Sequence, residues 1–278
     1  RRPRPTPCGT AARDRGAAAL TTPVFCLNLL MNDALARVLP SAADSSRPWL
    51  TWYSPDERIE LTGHVLSMWH AKCAGFLTAE AGPGARVHLG MTPHWRTVTW
   101  CAGAWLAGAT PVLLDSGDSF VENLLDEPPS ISVAFRIHWL FPSADVQVLV
   151  TMGSLATHWP TPLPPLTLDG IADVMPFSDH FPPAPTDGSE LALIVPQWDG
   201  LRTTSRDALV APAQSDAVEK ALGTGARALL IREETVERAM RGVMAAWRAG
   251  LTAVLISPDA DAALVSAAAR QEGIAGPQ

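Results

Sequence analysis

Apolar residues recur along the chain with two alternating periods. From Thr62 to Ala81 they fall at helical spacing, with Val65, Met68, Trp69, Phe76 and Leu77 on one face. A Gly-Pro-Gly turn at 82–84 separates that helix from a short apolar run, Arg86 to Met91, which reads as a strand. Thr92 and Pro93 look like a helix start: threonine can cap it, and proline suits a first-turn position whose N–H would have no partner. That helix is expected to run to about Ala107. Gly108 should end it, and Pro111 to Leu114 should form the returning strand. Nearer the N-terminus, Val24 to Leu39 reads as an amphipathic helix, and Trp49–Tyr53 and Arg58–Leu61 as a hairpin around Ser54-Pro55-Asp56.

The same order returns later. Ala228–Ile231 is a strand, Val236, Met240, Val243, Met244 and Trp247 share a helical face, Gly250 stops the helix, and Ala253–Ile256 returns as a strand. The words match as well as the periods. Ala104–Asp115 reads AWLAGATPVLLD and Ala246–Ser257 reads AWRAGLTAVLIS, identical at seven of twelve positions, each led by Gly-Ala-Arg (84–86 and 225–227). Adding the helix before each copy gives a unit of about 54 residues, Thr62–Asp115 and Thr204–Ser257, although Pro212 should kink the second helix or delay its start. Two copies make a pseudo-duplicated α/β fold and not a solenoid, and the strand–helix–strand connections should be right-handed, in mostly parallel sheets.

Composition narrows the class. Ten tryptophans and 47% hydrophobic residues in 278 can build a substantial core. The first twenty residues carry a net +4, so the remainder stands at −11 against −7 for the whole chain. An acidic body argues against nucleic acid as partner, and the Arg-rich head reads as a solvated tail without the apolar core of a secretory signal. Thr97–Leu114 is uncharged and long enough to imitate a membrane span, but Gly108 and Pro111 break it, so no membrane association is expected. Cys8, Cys26, Cys73 and Cys101 show no metal or redox spacing, and the seven histidines show no ligand spacing, which fits free thiols, a cytoplasmic setting and no bound metal.

The expected organisation is a disordered Arg/Ala-rich tail (1–22), a first α/β subdomain (23–157), a proline-crowded connection with little regular structure (158–189) and a second α/β subdomain (190–278), in one compact unit. Ile131–Phe135, Val146–Val150 and Leu191–Val195 are further strand candidates.

The hairpin, the helix, GARVHLGMTPHW, the apolar helix and AGATPVLLD, in that order, resemble the N-terminal region of adenylate-forming enzymes: acyl-CoA synthetases, luciferases and peptide-synthetase adenylation domains. More narrowly, the chain is similar to high-GC bacterial proteins that keep only the front of that fold. The resemblance implies the family's layered α/β architecture with internal pseudo-symmetry, ATP or AMP as ligand, and a Ser/Thr/Gly-rich phosphate loop ending Pro-Lys-Gly after the strand at Leu191–Val195. That place reads Pro196-Gln197-Trp198-Asp199-Gly200-Leu201-Arg202-Thr203-Thr204-Ser205: one glycine, no lysine, and an aspartate that would repel a triphosphate. The aromatic and histidine-containing turn expected after Ile231 is replaced by Arg232-Glu233-Glu234-Thr235. The family's later adenine, ribose and Mg²⁺ motifs, and its catalytic lysine, would lie beyond Gln278. Lys72 and Lys220 sit on helices that precede the repeats and do not substitute. The expectation is a truncated, degenerate front half without independent catalysis, and no certain cofactor.

The ligand-binding candidates are His94 and Trp95, at a helix start beyond a strand end, and Trp198, Asp199, Thr203 and Thr204 at the site of the lost loop. Glu233 and Glu234 could pair as acids, but a solvated helix start explains them, and Thr203–Ser205 are explained equally by capping. The leading expectation is a module that binds a small molecule or a protein. The alternative is an adenylate-forming ligase completed by a partner chain. The remote alternative is an esterase using the Gly117-Asp118-Ser119 motif, which lacks a late histidine base, since the last is His180.

Overall fold

The computed structural model describes residues 33–114, 125–211 and 216–274. The Arg-rich tail, most of the first expected helix, the Gly117–Ser119 motif and Pro212 lie outside those residues. In chain order the elements are α1 (Ala34–Val38), β1 (Pro48–Tyr53), β2 (Arg58–Thr62), α2 (Gly63–Ala81), β3 (Arg86–Gly90), α3 (Trp95–Leu106), β4 (Thr110–Leu113), β5 (Ile131–Ala134), a 3₁₀ turn (Ile137–Trp139), β6 (Val146–Leu149) and β7 (Thr167–Asp169). There follow β8 (Leu191–Gln197), β9 (Gly200–Ser205), α4 (Arg206–Val210), α5 (Asp216–Gly223), β10 (Ala228–Arg232), α6 (Val236–Arg248), β11 (Thr252–Ile256) and α7 (Ala262–Gln271).

The strands form a four-stranded sheet, β10-β11-β1-β2, and a seven-stranded sheet, β7-β6-β5-β3-β4-β8-β9. Pairing is parallel except in the hairpins β1–β2 and β8–β9. The fold class expected from the sequence is therefore present. β5 and β11 are buried at every position, as central parallel strands covered on both faces must be. One continuous apolar cluster includes Leu50 and Leu255 of the smaller sheet and Leu89 and Leu193 of the larger.

The duplication is exact in its turns. α3 and α6 each end in an αR residue, Ala107 or Ala249, followed by a left-handed glycine, Gly108 at φ +70° and Gly250 at +73°. A β-carbon is strained in that conformation, so the glycine in each copy is required by the turn. The hairpins are exchanged between the copies. β1 pairs with β11, the last strand of the second copy, and β8 pairs with β4, the last strand of the first. The repeated tryptophans secure both exchanges: Trp105 Nε1 donates to the Ala192 carbonyl in β8 and Trp247 Nε1 to the Trp49 carbonyl in β1, each at 2.8 Å. Residues after 190 thus complete the larger sheet, and the hairpin before 62 completes the smaller.

One local expectation is corrected. Thr92 does not cap α3. Its carbonyl accepts a bond from Thr97 Oγ1 at 2.7 Å, and the helix starts two residues later with His94 as N-cap, its ring nitrogen accepting the Arg96 N–H at 3.1 Å. The stretch 158–189 has little regular structure, as expected, its one strand being Thr167–Asp169, which adds β7 to the sheet edge beside β6. The uncharged run Thr97–Leu114 resolves into a helix and a strand, and no helix among the described residues is long and apolar enough to cross a membrane.

α2 and α3 meet where Gly103 faces Cys73. A β-carbon at 103 would lie 2.5 Å from Cys73 Cβ, with backbone behind it. Gly103→Ala is therefore expected to destabilise the protein by about 1–3 kcal/mol, as overpacking between rigid elements does. A denaturant midpoint measures it, and Cys73→Gly in the same chain should recover part of the loss.

Candidate functional site

The carboxyl ends of β3, β4 and β8 open toward the N-terminus of α6, and a cavity of about 200 Å³ lies between them. Ligands collect at such strand ends in open α/β sheets because the loops diverge there. Met91, Pro93, Leu114 and Pro196 give the cavity an apolar wall, and Arg202, Glu234 and Glu237 give it charge. Thr235 caps α6 by accepting the Arg238 N–H. Glu237, buried in the first turn, accepts bonds from Arg202 of β9 and from Arg241 one turn on, the latter at 3.2 Å. A carboxylate at a helix N-terminus is favoured by the helix dipole, and two guanidiniums offset its loss of water. Arg241 also donates to Thr204 Oγ1 at 2.8 Å, so β9 and α6 are joined beside the cavity by four polar side chains.

From Leu193 and Thr204 onward β8 and β9 pair without a register shift to Gln197 and Gly200, leaving Trp198 and Asp199 alone in the turn. Gly200 sits at φ +141°, a conformation that an L-residue rarely adopts. Phosphate cradles are built from several successive backbone N–H groups curving round an anion. A two-residue turn has no room for that curve. The turn also presents a carboxylate, and its Trp198 side chain is 86% exposed.

The six candidates from the sequence occupy three places. His94 and Trp95 begin α3 and are buried, with the His94 ring 4.6 Å from Trp52 and Trp95 Nε1 donating to Ser154 Oγ at 2.9 Å. Burial, together with the neighbouring Arg96 charge, holds the His94 pKa down at about 3, so the ring is neutral. Trp198 and Asp199 stand exposed at the hairpin tip, and Thr203 is exposed on β9. Thr204 is buried against Arg241. Ser205 caps α4 by accepting the Ala208 N–H, as a capping reading of this stretch required. Glu233 and Glu234 belong to no metal-type cluster among the described residues.

Sequence reading missed Arg202 and Glu237. A signal existed: Glu237 and Arg241 are four apart at a capped helix start, a spacing that places them on one face. Nothing local, however, brings Arg202 of a different hairpin to that face.

No family model matches the chain. A TIGR03089 family protein of Mycobacterium tuberculosis is 35% identical over 101 residues, which are 35% of this chain and 39% of that protein. Among solved structures, a Brucella canis acyl-CoA synthetase superposes with TM-score 0.70 at 18% identity, over 90% of this chain and 48% of that one. A long-chain-fatty-acid-CoA ligase (FadD1) from Archaeoglobus fulgidus superposes with TM-score 0.63 at 15% identity, over 86% of this chain and 50% of that one. The N-terminal domain of FACL13 from Mycobacterium tuberculosis gives 0.59 at 16%, over 86% and 61%. The chain thus has the fold of part of an acyl-CoA synthetase and spans about half the length of the first two of these structures.

Proposed function

We propose that the protein is a binding module on an acyl-CoA-synthetase-like scaffold: it takes a ligand at the cleft between β3, β4, β8 and α6, and does not transfer adenylate by itself. The observation that carries this reading is the closed β8–β9 hairpin. Where phosphate-holding amides would be needed, the two strands pair with each other up to Gln197 and Gly200. The cleft beside it has an apolar wall and the Arg202–Glu237 pair, braced from behind by Arg241, features of a preformed small-molecule site. ATP and Mg²⁺ are then not resident partners of this chain.

Isothermal titration with MgATP and a pyrophosphate-exchange assay test the proposal together. The expected outcome is no exchange over a panel of carboxylic acids and no saturable MgATP heat. Exchange catalysed by the purified chain would sink it.

A second reading is favoured by Trp198 and Leu201, large apolar side chains left exposed on the same hairpin. They suit a contact with another polypeptide, as in a ligase completed by a partner chain. Exchange activity that appears only in a co-purified complex, and disappears in Trp198→Ala, would support it over the first.

A further inference from the structure

The exchanged hairpins make the cleft described above one of a pair. That cleft lies beyond the ends of β4 and β8, which pair in parallel, at the start of α6. Its counterpart under the duplication should lie beyond β11 and β1, at the start of α3. A second cavity of about 210 Å³ is there, lined by Trp52 and Ser54 at the end of β1, Ser257 just after β11, and the α3 cap His94.

The two clefts differ in chemistry. Where the first has Thr235 as helix cap, the second has His94. Its Nδ1 is committed as acceptor to the Arg96 N–H, which puts the ring proton on Nε2. The residue is 1% exposed and lines the cavity, and its Nε2–H has no hydrogen-bond partner among the described residues. An unpartnered imidazole N–H that opens on a cavity leaves a place there for an acceptor oxygen. Every charge lining the cavity is negative: Asp56, Glu57 and Asp259. Glu57 is partly occupied, accepting from Ser154 Oγ at 2.5 Å, and Asp259 accepts from Ser257, whereas Asp56 is exposed at the mouth. An anion would be repelled at this rim, while a cation would be held by it.

We infer that this second cleft is a ligand site for a small cation that also carries a hydroxyl or carbonyl oxygen, an amino alcohol being the simplest form. The oxygen accepts the His94 Nε2–H, the ammonium group sits among the carboxylates of Asp56 and Asp259, and Trp52 walls the carbon chain. Because His94 stays neutral, it does not compete with the ammonium group for those carboxylates. The site is separate from the nucleotide question at the first cleft, so its failure and the failure of that reading are told apart by different titrations.

The test follows the His94 ring signals by NMR in the full-length chain during titration with ethanolamine, glycerol and acetate. Ethanolamine is expected to shift them saturably, glycerol more weakly, and acetate not at all. His94→Phe should abolish the response. Because that variant also removes a helix cap, Asp259→Asn on the exposed rim provides the independent check: it should weaken ethanolamine about tenfold, the size of one charge-assisted bond, and leave glycerol unchanged. No saturable shift up to about 100 mM ethanolamine, where a millimolar site would be filled, overturns the inference. So does acetate binding as well as ethanolamine.

Discussion

Arg206→Ala is expected to lower the unfolding free energy by about 3–5 kcal/mol, enough to unfold a domain of ordinary stability at moderate temperature. Arg206 is buried at the start of α4, with its guanidinium on Asp33 at 2.6 Å and on the Trp105 carbonyl at 3.1 Å. Asp33 caps α1 and also accepts from Thr186 Oγ1 at 2.9 Å. Burial alone would raise the Asp33 pKa, but the bonds and charge of Arg206 outweigh it, helped by Thr186, and the carboxyl is held below its usual range. Removing the arginine leaves a buried carboxylate without its counter-charge, takes one of two donors from the Trp105 carbonyl, which keeps the Gly108 N–H, and opens a void. Asp33→Ala is expected to cost a similar amount, for the mirror-image reason. The double variant Asp33→Leu with Arg206→Met should cost much less than the sum of the singles, because a buried ion pair contributes little beyond what an apolar pair of the same volume does. Urea denaturation of the four proteins measures the cycle. Strict additivity would show that the two residues do not act on each other.

The position of that pair marks the limit of what the sequence discloses. Both helices and both returning strands of the duplication are legible, because helical period, glycine stops and strand runs are local. The Trp105 and Trp247 words are legible for the same reason. The exchange of hairpins is not, since the parallel pairing of β1 with β11 joins residues some two hundred positions apart and depends on which sheet edge is left open. α3 starts at His94 and not Thr92: the His94 ring accepts the Arg96 N–H, while the Thr92 carbonyl takes the Thr97 hydroxyl, a local choice between two acceptable starts that residue types alone do not decide. The site followed the same division. What the β8–β9 turn carries, Trp198 and Asp199 with one glycine and no lysine, was readable from the sequence. The cluster of Arg202, Glu237 and Arg241 was not, because its members come from a hairpin and a helix whose meeting is fixed only by the sheet order.

Mild acid is expected to unfold the protein, with the loss beginning near pH 6.5 and well advanced by pH 5. Three histidines are buried and neutral. Burial holds His70 at about 3 and His94 at about 3, the latter aided by Arg96, and holds His88 at about 4 despite the Leu114 carbonyl that favours its charged form. In the unfolded chain each titrates near 6.5. Between that value and the folded one, the unfolded state binds a proton that the native state refuses. Unfolding therefore takes up protons, and stability falls as pH falls, by about 1.4 kcal/mol per pH unit for each histidine. Above pH 7 both states are neutral at these rings, so the contribution is constant. Three such groups acting together would exhaust a stability on the order of 5–15 kcal/mol within a few pH units. His70 is the cleanest probe, because neither ring nitrogen has a hydrogen-bond partner and its ring lies 6.2 Å from Trp247 in the core. His70→Leu removes two orphaned polar atoms as well as the titration. It should be at least as stable as the parent at pH 7.5, and should lose about 1.4 kcal/mol less per pH unit between pH 6 and pH 4.5. Denaturant midpoints of the two proteins across that range decide the matter: parallel pH profiles would mean that His70 binds its proton in the folded state as readily as in the unfolded one.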